Sequence, residues 1–194
     1  MIIWINGAFG SGKTQTAYEL HRRLDASYVY DPENAGCFIR KNLPSALGKD
    51  DFQDYPMWRT FNLEMLEYIA ERFEGDIIVP MTVTNRNYCD EIIGTLSQKY
   101  DVRHIILCAS EATIRRRLRS RFEGKRSWAA RQIDRCVRAL DTEIVGEKFI
   151  TDDLSVEQTV EIIGKLTEKE LSVDRRGAIR RAIDRFATRM RHIR

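Results

Sequence analysis

An α/β fold, a parallel sheet with crossover helices, is predicted by three features of this sequence. Apolar strand-like runs alternate with helical ones along most of its 194 residues, the pattern that βαβ units leave. No internal repeat, low-complexity tract or Pro/Gly-rich linker divides the chain. The composition, 43% hydrophobic and 31% charged, is that of an ordinary globular protein. A chain of this size buries roughly 70% of the surface its unfolded form exposes. One domain is expected over residues 1–170. A basic segment, 171–194, follows where the composition changes.

The elements follow in order. Ile2-Ile3-Trp4-Ile5 opens a strand over 2–6, and a helix is read over 13–24. The second strand, 27–31, is stopped by Pro32. Helices are expected over 35–47 and 56–74. The second of these has Pro56 at its start and Gly75 just past its end, with Trp58, Phe61, Met65, Ile69 and Phe73 at spacings of three or four. Strands over 77–82, 103–108 and 148–151 then alternate with helices over 86–99, 111–122, 128–140 and 155–167. With a strand at the very start, no signal peptide is expected. No apolar run approaches the ~20 residues of a membrane span. Cys37, Cys89, Cys108 and Cys136 are scattered without a C-x-x-C pair, and three histidines complete no zinc pattern. Reduced thiols in a cytosolic protein are the simplest reading.

The chemistry begins at the first turn. Gly7-Ala8-Phe9-Gly10-Ser11-Gly12-Lys13-Thr14 satisfies G-x-x-x-x-G-K-[ST] in full, between an apolar strand and a helix. Glycines let backbone N–H groups turn inward around phosphate oxygens, and the helix N-terminus adds its positive dipole end. Lys13 can reach the β- and γ-phosphates, and the Thr14 hydroxyl can ligate Mg²⁺. Residues 7–14, with Thr16 on the helix behind them, form the expected ATP site.

Ligands of a parallel α/β sheet sit outside the carboxyl ends of the strands, so acids at those ends matter most. The second strand closes in Asp31-Pro32-Glu33. Asp31 can accept a proton from a substrate hydroxyl or hold Mg²⁺; its other reading is a turn former before proline. Glu33 is placed with the substrate. Asp76 begins its strand and should lie on the far side. Where many P-loop enzymes close this strand with a Walker B carboxylate, Met81, Thr82 and Thr84 stand instead.

An arginine-rich stretch follows. Ile114, Leu118 and Phe122 make a buried stripe, with Arg117 and Arg121 an i,i+4 pair on a neighbouring face. Gly124 breaks the pattern, which suggests a hairpin of helices closing as a lid over 117–131. Arginines from a closing lid neutralise a transferring phosphoryl group and exclude water. Arg117, Arg121, Arg126 and Arg131 are the candidates; Arg115, Arg116 and Arg138 read as a solvated face. An RNA-binding strip would need aromatic stacking platforms that the stretch lacks, so no nucleic acid is expected.

In this order of parts the sequence resembles the small P-loop kinases of the shikimate, nucleoside monophosphate and chloramphenicol phosphotransferase types. That resemblance implies a five-stranded sheet of order 2-3-1-4-5, with Asp152 and Asp153 in a loop bordering the adenine. The string Ile2-Ile3-Trp4-Ile5-Asn6 with residues 7–17 is more specific. Together with Tyr28-Val29-Tyr30-Asp31-Pro32-Glu33, Ile78-Val79-Pro80-Met81-Thr82 and Ser127-Trp128-Ala129-Ala130, it resembles the tunicamycin-resistance proteins along essentially the whole chain. This implies an ATP-binding protein that protects a cell from a lipid-tailed nucleoside antibiotic, cytoplasmic and peripherally attached to the inner face of the membrane. Phosphorylation of the drug and simple sequestration are both open.

Residues 32–75 stand where such kinases bind the phosphate acceptor. Phe38, Leu43, Phe52, Tyr55, Met57, Trp58, Phe61 and Leu63 are core residues individually, and collectively can wall an acyl chain or sugar–base ligand. Arg40 and Arg59 are the polar candidates, with Trp58 the aromatic one. The basic tail completes the reading. Residues 171–194 hold eight arginines against two aspartates, net +6, which leaves the rest of a chain of net charge +3 at −3. Over 174–194, Ile179, Ile183, Phe186, Met190 and Ile193 step by four and three, an amphipathic helix that can pack on its own domain, on a partner, or on an anionic bilayer.

Overall fold

The computed structural model describes residues 1–119 and 128–191. Its sheet contains β1 (Ile2–Gly7), β2 (Ser27–Val29), β3 (Asp76–Pro80), β4 (Val102–Cys108) and β5 (Glu147–Ile150). The order is β2-β3-β1-β4-β5 and every pairing is parallel. This is the expected sheet. β1 is central, pairing Ile5 with Pro80 on one side and Gly7 with Leu107 on the other. A central parallel strand is covered on both faces, so it reads as a continuous apolar run rather than an alternation.

The helices are α1 (Lys13–Arg23), α2 (Glu33–Asn42), α3 (Pro56–Ala70), α4 (Arg86–Cys89), α5 (Thr95–Ser97), α6 (Glu111–Arg119), α7 (Trp128–Thr142), α8 (Val156–Leu166) and α9 (Ala178–Arg191). Alternate β1 residues supply the two cores. Ile3 and Ile5 pack with Ala17 and Leu20 of α1 and Val160 and Ile163 of α8. Ile2 and Trp4 pack into the larger cluster with Trp58, Leu66, Ile92, Leu96, Ile133 and Leu140. Asp76 lies at the N-terminal end of β3, where the Met1 amine (3.7 Å) and Lys169 (2.8 Å) neutralise it. It is remote from the carboxyl edge, as its position in the strand requires.

Three helices depart from expectation, and the one read over 56–74 does so simply by ending at Ala70. The helix read over 35–47 ends at Asn42, because Pro44 drives Leu43 into an extended conformation (φ −101°, ψ 144°). Only a 3₁₀ turn, Ser45–Leu47, follows. The helix read over 86–99 is interrupted: α4 and α5 flank a π-helical turn, Asp90–Gly94. Asn85 caps its start, accepting from the Asn87 and Tyr88 amides.

The tail forms the expected amphipathic helix but docks by the opposite face. α9 lies along α1, with Gln15 Nε2 donating to the Arg185 carbonyl (3.0 Å) and Arg22 to Thr188 Oγ1 (3.3 Å). Arg176 pairs with Glu19, Asp174 and Asp184, and Arg181 and Arg185 reach Glu157. A net-negative body thus takes the cationic face of the helix, and Ile179, Ile183, Phe186 and Met190 are each more than half exposed. Ile193 lies outside the described residues. Hydrogen bonds from Arg176 hold the Asp174 carboxyl down to about 2. A depressed carboxylate stabilises the fold above its unfolded value, so this clamp is complete above about pH 4 and is lost as pH falls through about 2.

Candidate functional site

β1 delivers the chain at Gly7 to a loop whose shape depends on two left-handed glycines. Gly12 (φ 103°) is the N-cap of α1, and a Cβ there would meet nothing within 4 Å. Gly10 (φ 88°) abuts α6, where a Cβ would stand 3.1 Å from Leu118 and 3.3 Å from Ile114. The Ser11 amide closes the turn on the Ala8 carbonyl at 3.0 Å. Lys13 is buried. Its Nζ donates to the Ala8 carbonyl (3.2 Å) and sits 5.5 Å from the centroid of the Phe9 ring. Phe9 in turn packs edge-on against Trp128 of α7, centroids 5.0 Å apart.

Several observations fit a bound phosphate here. Ser11 Oγ is buried without a hydrogen-bond partner among the described residues, an expensive condition that an oxyanion or water relieves. The N-terminus of α1, with its positive dipole end, lies at the same loop. Thr14 is half-buried in the first turn and Thr16 is buried behind it. Among the described residues no three His, Cys, Asp or Glu side chains gather into a metal site, so Mg²⁺ here would depend on Thr14, phosphate oxygens and Asp31.

Sequence reasoning missed the residues that anchor the loop from below. Asn6, fully buried, accepts from the Gly7 amide (2.8 Å) and the Val83 amide (3.0 Å) and donates to the Val83 carbonyl (2.9 Å). Its Nδ2 also lies 3.2 Å from His104 Nε2, and burial pushes that imidazole down to about 4, so it is neutral near pH 7. Thr82, at the position where the Walker B acid is wanting, donates to the Gly7 carbonyl at 2.8 Å. Arg135 of α7 donates to Thr84 (3.2 Å) and pairs with Asp51 (3.9 Å). The one signal for these was a polar residue closing an otherwise apolar strand.

The expected site residues separate into those at the site and those held elsewhere. Arg117 reaches the loop, but as a brace: its guanidinium donates to the Ser11 carbonyl (3.1 Å) and the Thr151 carbonyl (2.6 Å). Burial lowers its pKa, opposed by the Asp152 charge. Asp152 itself takes the Ser110 hydroxyl and amide, which hold it below the usual carboxylate range. Asp153 is exposed, as is Arg131 on α7. Arg121 and Arg126 lie outside the described residues. Trp58 is a correction: it is fully buried, with its indole N–H donated to the Pro32 carbonyl at 3.0 Å, so it is core and not a substrate wall. Arg40 is engaged by the Asp50 carbonyl (2.6 Å) and Phe52, and Arg59 by Glu91, the Gln53 carbonyl and Tyr88. Both fasten the 32–75 segment to itself or to α4 and its π turn.

Asp31 sits at the carboxyl edge beyond β2, with β3 between it and the strand that leads into the loop, and its turn role is realised: Oδ1 accepts from the Glu33 amide at 3.0 Å, an Asx turn opening α2. Glu33 is the half-buried first residue of that helix. Asp31 also lines a cavity of about 930 Å³ between β2, α1, α2 and α3.

Arg117→Ala is expected to leave two carbonyls short of a donor and to cost about 1–3 kcal/mol. Thermal melting should fall by roughly 2–4 °C per kcal/mol in a protein of this size. An unchanged melt would mean that the brace is dispensable.

Comparison with known proteins agrees with this geometry. Residues 2–142 match a family described as an AAA domain. The structure of the tunicamycin resistance protein of Deinococcus radiodurans is similar at 31% identity, over 89% of this chain and 98% of that one, with a TM-score of 0.76. Shikimate kinase from Bacteroides thetaiotaomicron superposes at 19% identity over 87% of this chain and 98% of its own, TM-score 0.60. A sugar kinase from Janibacter sp. HTCC2649 does so at 16%, over 86% and 94%, TM-score 0.62. These last two are related in fold alone. No curated protein matches the sequence.

Proposed function

This chain belongs to the AAA-domain family and to the tunicamycin-resistance proteins, and from that premise we propose that it transfers the γ-phosphate of ATP to a hydroxyl of tunicamycin or a similar amphiphilic nucleoside. The observation that carries the reading is a complete phosphate loop on the same sheet edge as a large cavity with a carboxylate at its border.

Each residue has a physical task. The loop amides from Gly12 onward and the N-terminal end of α1 bind phosphate oxygens, and Lys13 supplies the positive charge that the transferring group needs. Mg²⁺, held by Thr14 with Asp31 as a second candidate ligand, would neutralise phosphate charge. Asp31, fixed by its turn, accepts the proton of the attacking hydroxyl. Arg117 holds the loop to the end of β5, and Arg131 is the described lid arginine left on the outer surface. Arg121 and Arg126 are proposed for phosphate contact on sequence grounds alone.

A second reading, ATP-dependent sequestration without transfer, is favoured by the end of β3: Thr82 spends its hydroxyl on the loop where a Walker B acid would serve the metal. Mass spectrometry of the drug after incubation with protein, ATP and Mg²⁺ separates the two. Gain of one phosphate is expected; a retained but unmodified drug would establish sequestration instead.

We also propose peripheral attachment to the inner face of the membrane through 174–194. The support is the exposed row Ile179, Ile183, Phe186 and Met190, with Arg180 and Arg175 exposed beside it. Since Arg176, Arg181 and Arg185 are tied to the body, electrostatic attraction rests on fewer arginines than the net tail charge suggests, each worth about 1 kcal/mol near an anionic surface. Co-sedimentation with anionic but not neutral liposomes is expected, weakening as salt rises. Protein ending at Glu170 should remain in the supernatant; equal sedimentation of both forms would refute the attachment.

A further inference from the structure

The cavity bordered by Asp31 has a composition that selects its ligand. Phe38, Ile39, Met57, Phe61 and Met65 form its broad walls, with Tyr18 and His21 of α1 on one side. At about 930 Å³ it far exceeds the voids left by imperfect packing and stands near the upper limit for a ligand site. Phe38 is 68% exposed, Met57 51% and Phe61 47%. Three large apolar groups exposed along one hollow are unusual for a monomer and mark a surface that something covers.

The polar chemistry excludes most candidates for that cover. No lysine or arginine lines the cavity, so a phosphate or carboxylate finds no counter-charge. The Tyr30 hydroxyl is committed to Asn62 (2.7 Å) and His21 Nδ1 to Ser27 (2.8 Å). Burial lowers the His21 pKa, which keeps that wall uncharged near pH 7. A sugar or base could find polar partners at Asp31, Asn34, Tyr18 and Tyr28, but not along the broad apolar walls of Phe38, Ile39, Met57, Phe61 and Met65. A peptide adding to the open edge of β2 would meet only three strand residues before Pro32. An aliphatic chain needs no polar partner, and two methionines give its wall the adaptability that a flexible chain requires.

We infer that this cavity holds the linear aliphatic chain of an amphiphilic acceptor, with the polar end of the molecule at Asp31. The inference rests on the phosphotransferase reading only in giving Asp31 a hydroxyl to act on; the chain site itself stands on the walls. α1 is shared between two apolar features: its Gln15 and Arg22 seat α9 and its Glu19 holds Arg176 just before that helix, while Tyr18 and His21 line the cavity.

The test is calorimetric titration of the full-length protein, without ATP, with octyl, decyl and dodecyl maltoside below their micelle concentrations. Affinity should rise about fourfold per methylene, the value of burying one CH₂. Phe38→Asp and Phe61→Asp, at exposed positions that leave the fold intact by circular dichroism, should each weaken the dodecyl ligand by about tenfold and leave ATP affinity unchanged. Phe186→Asp, on α9, controls for chains adsorbed to the tail and should have no effect on this titration. Absence of chain-length dependence, or sensitivity to Phe186→Asp alone, overturns the inference. Its failure is distinguishable from that of the proposed reaction. Alkyl binding at the cavity with a drug that never gains phosphate removes the reaction and keeps the site. Phosphorylation with an unaltered KM in Phe61→Asp removes the site and keeps the reaction.

Discussion

Lys13→Ala is expected to weaken ATP binding by roughly 10- to 100-fold, the loss of about 1.5–3 kcal/mol from a charged hydrogen-bonding group. Phosphoryl transfer should slow further, by roughly 10²–10³, because the charge it answers grows in the transition state. The fold should survive. Lys13 is buried, where it donates to the Ala8 carbonyl and lies over Phe9, and a desolvated ammonium is itself costly. The glycines, the Asn6 anchor and the Arg117 brace that shape the loop all remain. Calorimetry with ATP beside a thermal melt separates the two effects. Undiminished affinity in a folded variant would show that the loop is not used for phosphate.

What was legible in the sequence was what is local or contiguous. The phosphate loop is eight consecutive residues between a strand and a helix, so its geometry follows from its neighbours. The five strands were legible because buried parallel strands leave unbroken apolar runs, while their order came from resemblance and not from pattern. The early end of α2 was also written locally, in Pro44, and periodicity outweighed it. Side-chain roles were far less legible, because long-range partners decide them. Arg117 finds the Ser11 carbonyl 106 residues away, and Trp58 finds that of Pro32 26 residues away. Nothing near either residue announces the partner. Periodicity marked the α9 stripe but could not orient it, since the acid that seats its cationic face, Glu157, belongs to α8, and Glu19 of α1 holds Arg176 just ahead of it. Thr82 was read only as a missing acid, when its hydroxyl is a strut under Gly7.

Asp31→Asn is expected to suppress phosphoryl transfer by roughly 10²–10⁴, the range for loss of a positioned general base, with ATP affinity unchanged. The substitution is chosen for what it keeps. Asp31 Oδ1 accepts from the Glu33 amide at 3.0 Å and so shapes the start of α2. An asparagine oxygen accepts the same bond and forms the same turn, so the wall that α2 gives the cavity stays in place. What is lost is the negative charge, and with it the capacity to take a proton from a hydroxyl or to share a metal ion. Alanine would remove turn and base together and confuse the two. Single-turnover measurement with saturating ATP and drug reads the chemical step directly, and varying Mg²⁺ divides the two lost capacities. A deficit that excess Mg²⁺ relieves assigns Asp31 to the metal, and one that persists assigns it to the proton. Transfer at the wild-type rate would reduce Asp31 to a former of turns. If neither protein modifies the drug while both retain it, the carboxylate serves the shape of a binding cleft, and the family member in hand protects by capture.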